Sequence, residues 1–183
     1  MTGIVLWHVT TSLDGFITGP DDDMSWSAGY GGTSLAEETI ASIGAGLSGR
    51  RGYDVAKAHG IDRPYGGDWD GRIFVLTHRP PTEPDPYFTF LTGDLADAVE
   101  TARVAAGDRN VVLFGADLAR QCLQAGLVDE ILVHVVPILL GDGVRFYDVP
   151  GGAQIRLERT HLGGSGQITD LRFRPETTPV RPG

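Results

Sequence analysis

The sequence predicts an α/β fold, and two stretches carry the prediction. Residues 111–136 of the 183-residue chain read as strand, glycine turn, helix and strand, the sequence form of a parallel crossover unit. Residues 154–162 and 167–174 read as two further strands joined by Gly163-Gly164-Ser165-Gly166, the composition of an antiparallel hairpin. No internal repeat and no long linker interrupts the chain, and one domain of this length buries about 70% of the surface its unfolded form exposes. The expectation is a single domain over residues 1–174, then a disordered tail over 175–183, PETTPVRPG, which offers no apolar run to pack.

Taken in order, residues 4–11 are β-branched and aromatic and form the first strand. Ser12-Leu13-Asp14-Gly15 then makes a turn, after which Phe16, Ile17 and Thr18 resume extended backbone. Residues 19–32 are Gly, Asp and Ser around Trp26 and Tyr30, the composition of an active-site flap or of a plain surface loop. Ser34 followed by Glu37 reads as a capping box, and Leu35, Ile40, Ile43 and Leu47 give a first helix its apolar face. Glu37 and Glu38 fall in its first turn, where they complement the helix dipole.

Gly44, Gly46 and Gly49 match the dinucleotide fingerprint literally. On this reading they follow a helix rather than a strand, so the Rossmann interpretation is rejected. Gly49-Arg50-Arg51-Gly52-Tyr53 sets two guanidiniums beside permissive glycine, either a phosphate site or a solvated pair. Residues 58–71 form a loop, and residues 72–77 a strand that ends at the basic, hydroxyl-bearing turn Thr77-His78-Arg79. Residues 87–91 are a short strand. Asp94 caps a helix with Leu95, Ala98, Val99, Ala102 and Ala105 on its apolar side, and Gly107 stops it.

In the central unit, residues 111–114 are wholly apolar, as in a strand buried on both faces, and Gly115 turns the chain. Leu118, Cys122 and Ala125 recur at helical spacing until Gly126, a C′ glycine. Residues 127–136 return to strand, and Pro137 ends it. The backbone N–H groups of Gly115, Ala116 and Asp117 suit a phosphate at a helix N-terminus, although spacing alone favours the plainer reading, a tight turn with Asp117 near the cap.

Fifteen Lys and Arg against 24 Asp and Glu give a net charge of −9, which disfavours nucleic-acid backbone and anionic lipid as partners. The single cysteine, Cys122, excludes an intrachain disulfide and reads as a small buried hydrophobe. The N-terminus lacks the pattern of a signal peptide, and no apolar run approaches the roughly 18 residues that span a bilayer, so a cytoplasmic protein is expected. His8, His59, His78, His134 and His161 are scattered without metal-ligand spacing, and no GxSxG elbow occurs. With neither metal nor nucleophile visible, an organic cofactor is the natural source of chemistry.

Ser12-Leu13-Asp14-Gly15, Ser48-Gly49-Arg50-Arg51-Gly52-Tyr53, Val75-Leu76-Thr77-His78-Arg79, Leu113-Phe114-Gly115-Ala116, Leu127-Val128-Asp129-Glu130 and Pro137-Ile138-Leu139-Leu140-Gly141-Asp142-Gly143 occur in this order. In this the chain resembles the C-terminal reductase domain of bacterial riboflavin biosynthesis, the RibD C-terminal family of the dihydrofolate reductase-like superfamily, over residues 3–174. The resemblance implies a three-layer α/β/α fold, with a mixed, mostly parallel central sheet and a C-terminal antiparallel hairpin. It implies NADPH along the strand ends and hydride transfer to a small, heterocyclic (pteridine- or pyrimidine-like) substrate, as in dihydrofolate reductase or 5-amino-6-(5-phosphoribosylamino)uracil reductase. By position, Gly49, Arg50 and Arg51 approach the cofactor phosphates, Thr77, His78 and Arg79 the adenosine 2′-phosphate, and Gly115, Ala116, Asp117 and Leu118 the pyrophosphate. Val9, Thr10 and Ile17 line the nicotinamide. Asp14 is the first candidate for the proton donor, with Glu37, Glu38 or water as alternatives. A homodimer is implied, with residues 127–136 and the following loop as the contact region.

Two departures bear on this. Family members commonly carry Gly-Gly where this chain has Gly115-Ala116, and threonine where it has Gly52. A Cβ at 116 crowds the backbone approach to the cofactor, and Gly52 removes one phosphate donor. They motivate the alternative reading, a non-catalytic ligand-binding or dimeric scaffold protein with weak or no cofactor binding.

Overall fold

In the computed structural model, which describes residues 3–176, the β-branched runs of the sequence become strands and the runs between them become the helices that cross over. The order is β1 (Val5–Ser12), β2 (Phe16–Thr18), α1 (Ser34–Ala41), β3 (Ile43–Gly49), α2 (Arg50–Ala58), β4 (Arg72–Leu76), β5 (Phe88–Leu91), α3 (Leu95–Ala106), β6 (Asn110–Phe114), α4 (Ala116–Gln124), β7 (Glu130–Val136), β8 (Val144–Arg145), β9 (Leu157–Ser165) and β10 (Ile168–Pro175). Eight strands form one sheet in the order β5-β4-β3-β6-β1-β7-β10-β9, and β2 pairs with β8 in a small ribbon. Pairs from β5 through β7 are parallel; β10 is antiparallel to both β7 and β9. The central crossover thus runs from β6 to β7 with β1 between them, and Trp7 lies opposite both Leu113 and Ile131.

Alternation along the strands divides the core. Val5, Trp7, Ala45, Leu47, Val111 and Leu113 face α3 and α4, meeting Ala98, Val99, Ala102, Leu118, Ala119 and Cys122. On the opposite face Ile73, Val75 and Val112 pack with Trp69 and Phe88, and Ile40 of α1 and Tyr53 of α2 close over them. The result is the expected three-layer α/β/α arrangement with a mostly parallel sheet and an antiparallel C-terminal pair. Burial pushes the Cys122 thiol up to about 12, as suits an inert core residue. No helix is long and apolar enough to cross a membrane, among the described residues.

Several local expectations are corrected. The first helix stops at Ala41, and Ile43 and Leu47 belong to β3 rather than to its apolar face. The spacing 40, 43, 47 imitates a helix, but the segment is a strand buried on both faces: Ala45 and Leu47 face α3 and α4, while Ile43, before an irregularity in the pairing with β6, packs on the opposite face. The glycines of the literal fingerprint therefore lie along a strand. A Cβ on Gly44 would sit 2.6 Å from the Ala106 carbonyl oxygen, and one on Gly46 2.6 Å from the Phe114 ring, so they serve close packing. The cap of α1 is Thr33, whose hydroxyl accepts from Ala36 N, not Ser34.

The hairpin turn is Gly166-Gln167, between Ser165 and Ile168, while Gly163 and Gly164 are inside β9. A Cβ on Gly164 would meet the Ile168 carbonyl at 2.2 Å, which explains that glycine without a turn. Of the expected tail, Pro175 ends β10 and Glu176 N donates to the Arg156 carbonyl; residues 177–183 lie outside the described residues. Residues 130–136 form β7, buried between β1 and β10, so the outward parts of the expected dimer contact region are its start, where Asp129 is exposed, and the loop after the strand, with Leu139 70% exposed.

Candidate functional site

The parallel strands end at one side of the sheet, and the loops and helix starts there surround a cleft of about 2090 Å³. Val9, Thr10, Ile17, Gly49, Arg50, Arg51, Thr77, His78, Arg79, Gly115, Ala116, Asp117 and Leu118 all line it. Residues from the 19–32 loop form another wall, including Trp26 and Tyr30. Arg51 donates to Asp22 of that loop at 2.9 Å, tying it to α2.

Three helix starts reach this cleft, those of α1, α2 and α4, and two of them lack the side-chain cap that the others have. α1 and α3 are capped by the side chains of Thr33 and Asp94. α2 begins after Gly49 and α4 after Gly115, and neither receives a side-chain cap. Their first N–H groups and positive dipole ends are left to whatever occupies the cleft. Arg50 and Arg51 occupy the first turn of α2, where cations oppose the dipole unless an anion joins them. A Cβ on Gly115 would lie 4.0 Å from Gly52 Cα, and one on Gly49 3.5 Å from Leu118 Cβ, so the two helix starts are neighbours. Gly115 itself has φ 84°, the left-handed region that lets β6 turn directly into α4. Thr77 Oγ1 accepts from Arg79 N, and the Arg79 carbonyl accepts from Arg50 Nη1, which joins the third basic turn to α2.

Both departures acquire a structural reason. A Cβ at Gly52 would stand 2.4 Å from Ser48 Oγ. Ser48 lines the cleft, so a hydroxyl from β3 occupies the place where a residue-52 side chain would start. Ala116 is the first residue of α4, a position where helical backbone favours alanine over glycine.

Asp14 is placed differently from the other candidates. It is not in the cleft wall; its carboxylate accepts from Ser12 Oγ (2.6 Å), from Leu140 N (3.1 Å) and from Gly141 N (2.7 Å). The Ser12 hydroxyl and these backbone donors draw its carboxyl down to about 2. These contacts make it an acceptor that clamps the loop after β7. In that loop Gly143, at φ 132°, passes the Thr18 carbonyl so closely that a Cβ would lie 2.0 Å from it. Glu37 and Glu38 do not line the cleft either; α1 presents Thr33, Ala36 and Ile40 to it.

The groups the sequence did not bring together are four in series. Tyr65 Oη lies 3.0 Å from His8 Nδ1, His8 Nε2 lies 2.8 Å from His134 Nε2, and His134 Nδ1 lies 2.6 Å from Asp170 Oδ1. Tyr65, His8 and His134 line the cleft, and Asp170 is 2% exposed behind them. Burial, then His134 and Arg172, hold the His8 imidazole down at about 3, so it is neutral. Among the described residues no three His, Cys, Asp or Glu side chains form a metal-holding group, and these are strung in a line. Thr18 Oγ1 and Trp26 Nε1, also in the cleft wall, are buried without a protein partner.

Comparison with known proteins gives a consistent result. The RibD C-terminal domain family matches residues 4–168. The uncharacterized protein YwjB of Bacillus subtilis is 24% identical over 172 residues, covering 91% of this chain and 94% of YwjB. A protein assigned to riboflavin biosynthesis from Shewanella sp. PV-4 superposes with a TM-score of 0.79 at 18% identity, over 94% of this chain and 99% of that one. Dihydrofolate reductase from Enterococcus faecalis, solved as a complex with NADP(H), superposes with a TM-score of 0.64 at 13% identity, over 96% and 98% of the two chains.

Proposed function

The chain belongs to the RibD C-terminal domain family, and on that premise we propose that it is an NADPH-dependent reductase of a small heterocyclic substrate, pyrimidine- or pteridine-like. The observation that carries this reading is the pair of uncapped helix starts, α2 and α4, side by side on a cleft with Arg50, Arg51 and Arg79. Backbone N–H groups at two helix N-termini with adjacent guanidiniums form a site for a polyphosphate. In this reading Gly49, Arg50 and Arg51 hold the phosphates, Gly115, Ala116, Asp117 and Leu118 the pyrophosphate, and Thr77, His78 and Arg79 the 2′-phosphate. Val9, Thr10 and Ile17 flank the nicotinamide, with the unpartnered Thr18 Oγ1 beside them. When bound, the cofactor supplies the hydride. The protein's own work is to orient both partners, exclude water under the 19–32 loop and provide a proton.

The binding-protein reading loses much of its motive, because Ser48 stands where the missing side chain at 52 would be. A cytoplasmic homodimer is part of the proposal. Oxidation of NADPH followed by its absorbance, across a panel of dihydropterins and aminopyrimidines, tests the activity; a panel that consumes none argues against it.

A further inference from the structure

Reduction needs a proton as well as a hydride, and this inference rests on the reductase reading. The carboxylates expected to supply that proton are badly placed: Asp14 does not line the cleft and is engaged by Ser12, Leu140 and Gly141, and Glu37 and Glu38 do not reach its wall. The fold instead delivers Tyr65, His8, His134 and Asp170 in series to that wall. Register fixes three of them. Thr10 pairs with His134 across β1 and β7, and His134 pairs with Asp170 across β7 and β10, so His8, His134 and Asp170 share one face of the sheet. Tyr65 closes the chain from the loop before β4. Its ring stacks on His8 at 5.4 Å, and its backbone is held at φ 56°, an uncommon conformation for tyrosine.

We propose that Tyr65, His8, His134 and Asp170 form a proton relay whose outlet is the Tyr65 hydroxyl, and that it protonates the heteroatom of the substrate bond being reduced.

Hydrogen-bond logic gives the relay two states. With the pair of rings neutral, a carboxylate at Asp170 can only accept, so His134 donates through Nδ1. His134 Nε2 then accepts from His8 Nε2–H, and His8 Nδ1 accepts from the Tyr65 hydroxyl. Every donor points inward. One added proton reverses the outer part of the chain. His134 keeps its Nδ1–H on Asp170 and donates Nε2–H to His8; His8 donates Nδ1–H to the Tyr65 oxygen; the Tyr65 hydrogen turns to the cleft.

Delivery breaks the Tyr65 O–H bond, and the substrate heteroatom takes that proton with the electron pair freed from its double bond. Tyr65 recovers a proton from His8 Nδ1, and His8 Nε2 recovers one from His134 Nε2. The chain returns to its neutral state one proton poorer, and solvent water reloads it.

Asp170 of β10 lies 2.6 Å from His134, while burial, His134 itself and Arg172, also of β10, hold His8 down. Arg172 donates to Thr39 of α1 and lies 3.8 Å from Glu130 at the start of β7. Burial raises the Tyr65 hydroxyl above its ordinary range, so it stays a hydroxyl at neutral pH.

The relay is tested without cofactor by nitrogen NMR of protein labelled at histidine, from pH 5 to 9. The expected result is one proton taken up jointly by two rings, with His134 Nε2 and His8 Nδ1 bare at high pH. In Asp170→Asn, which removes the carboxylate beside His134 Nδ1, the joint uptake moves acidward by about one pH unit or more. Independent titration of the two rings, or no movement in Asp170→Asn, overturns the relay. NADPH oxidation with dihydrofolate as the probe then reads the outlet. Tyr65→Phe should lose at least about 100-fold in kcat at unchanged KM for NADPH, the range of general acid catalysis. Wild-type kcat should fall about tenfold per pH unit above the joint titration. Full kcat in Tyr65→Phe overturns the outlet. No turnover by the wild-type protein would count against the reductase reading, with the relay still decided by the NMR result.

Discussion

His8 and His134 are 126 positions apart in the chain, yet their Nε2 atoms lie 2.8 Å apart because β1 and β7 pair directly in the sheet. The contact places an unusual load on stability as well as on chemistry.

Folded His8 remains neutral down to about pH 3, whereas unfolded His8 binds a proton below its ordinary 6.5. The unfolded chain therefore holds more protons throughout that window, so stability is full above pH 6.5 and is lost as pH falls toward 3. The slope from this group is at most about 1.4 kcal/mol per pH unit. Urea unfolding of the wild type and of His8→Gln at pH 6.5, 5.5 and 4.5 should show a shallower decline in the variant. Parallel declines would mean that His8 is accessible to protons in the fold.

Gly52 and Ser48 are coupled by a gap of one atom. In Gly52→Thr the new Cβ meets Ser48 Oγ at 2.4 Å, and overpacking of this kind costs about 1–3 kcal/mol. Ser48→Gly should restore most of that loss in the double variant, so the two changes will not be additive. Additive losses would show that the position rejects threonine for another reason.

Asp14 joins the turn after β1 to the loop after β7. Its depressed carboxyl means that this clamp is intact above pH 3.8 and is released only as pH falls through about 2. Asp14→Ala should accelerate amide exchange at Leu140 and Gly141 while leaving the NADPH-induced thermal shift in place. Loss of that shift would assign Asp14 to cofactor binding.

Arg79 sits on the turn after β4, its backbone engaged by Arg50 and Thr77. Arg79→Ala should weaken NADPH by about tenfold or more and leave NADH nearly unchanged, since a guanidinium–phosphate contact is worth about 1.5–3 kcal/mol. An unchanged preference removes Arg79 from the 2′-phosphate site.

What the sequence made legible follows from how local each signal is. The unit β6-α4-β7 was readable because its apolar run, helical spacing and Gly126, at φ 70°, are contiguous in the chain. The basic turns were readable because Arg50, Arg51 and Arg79 each stand beside a strand end. β3 was misread because Ile40, Ile43 and Leu47 satisfy helical spacing, while a strand buried on both faces and broken by glycines shows no polar-apolar alternation to oppose it. The Tyr65–His8–His134–Asp170 chain had no local signal at all. Its members come from four separated segments; strand register aligns His8, His134 and Asp170, and a loop brings Tyr65 to them. Asp14 misled for a related reason, since its partners Leu140 and Gly141 are 126 and 127 positions away.

Thermal unfolding with NADPH and with NADH tests most directly whether the cleft between α2 and α4 takes NADPH. At about 100 times its dissociation constant a ligand adds about 2.7 kcal/mol, which raises Tm by several degrees in a domain of this size. Tm should rise by that much with NADPH, by less with NADH, and not at all with NADPH in Arg50→Ala with Arg51→Ala. A Tm unchanged by millimolar NADPH in the wild-type protein would contradict NADPH binding in this cleft.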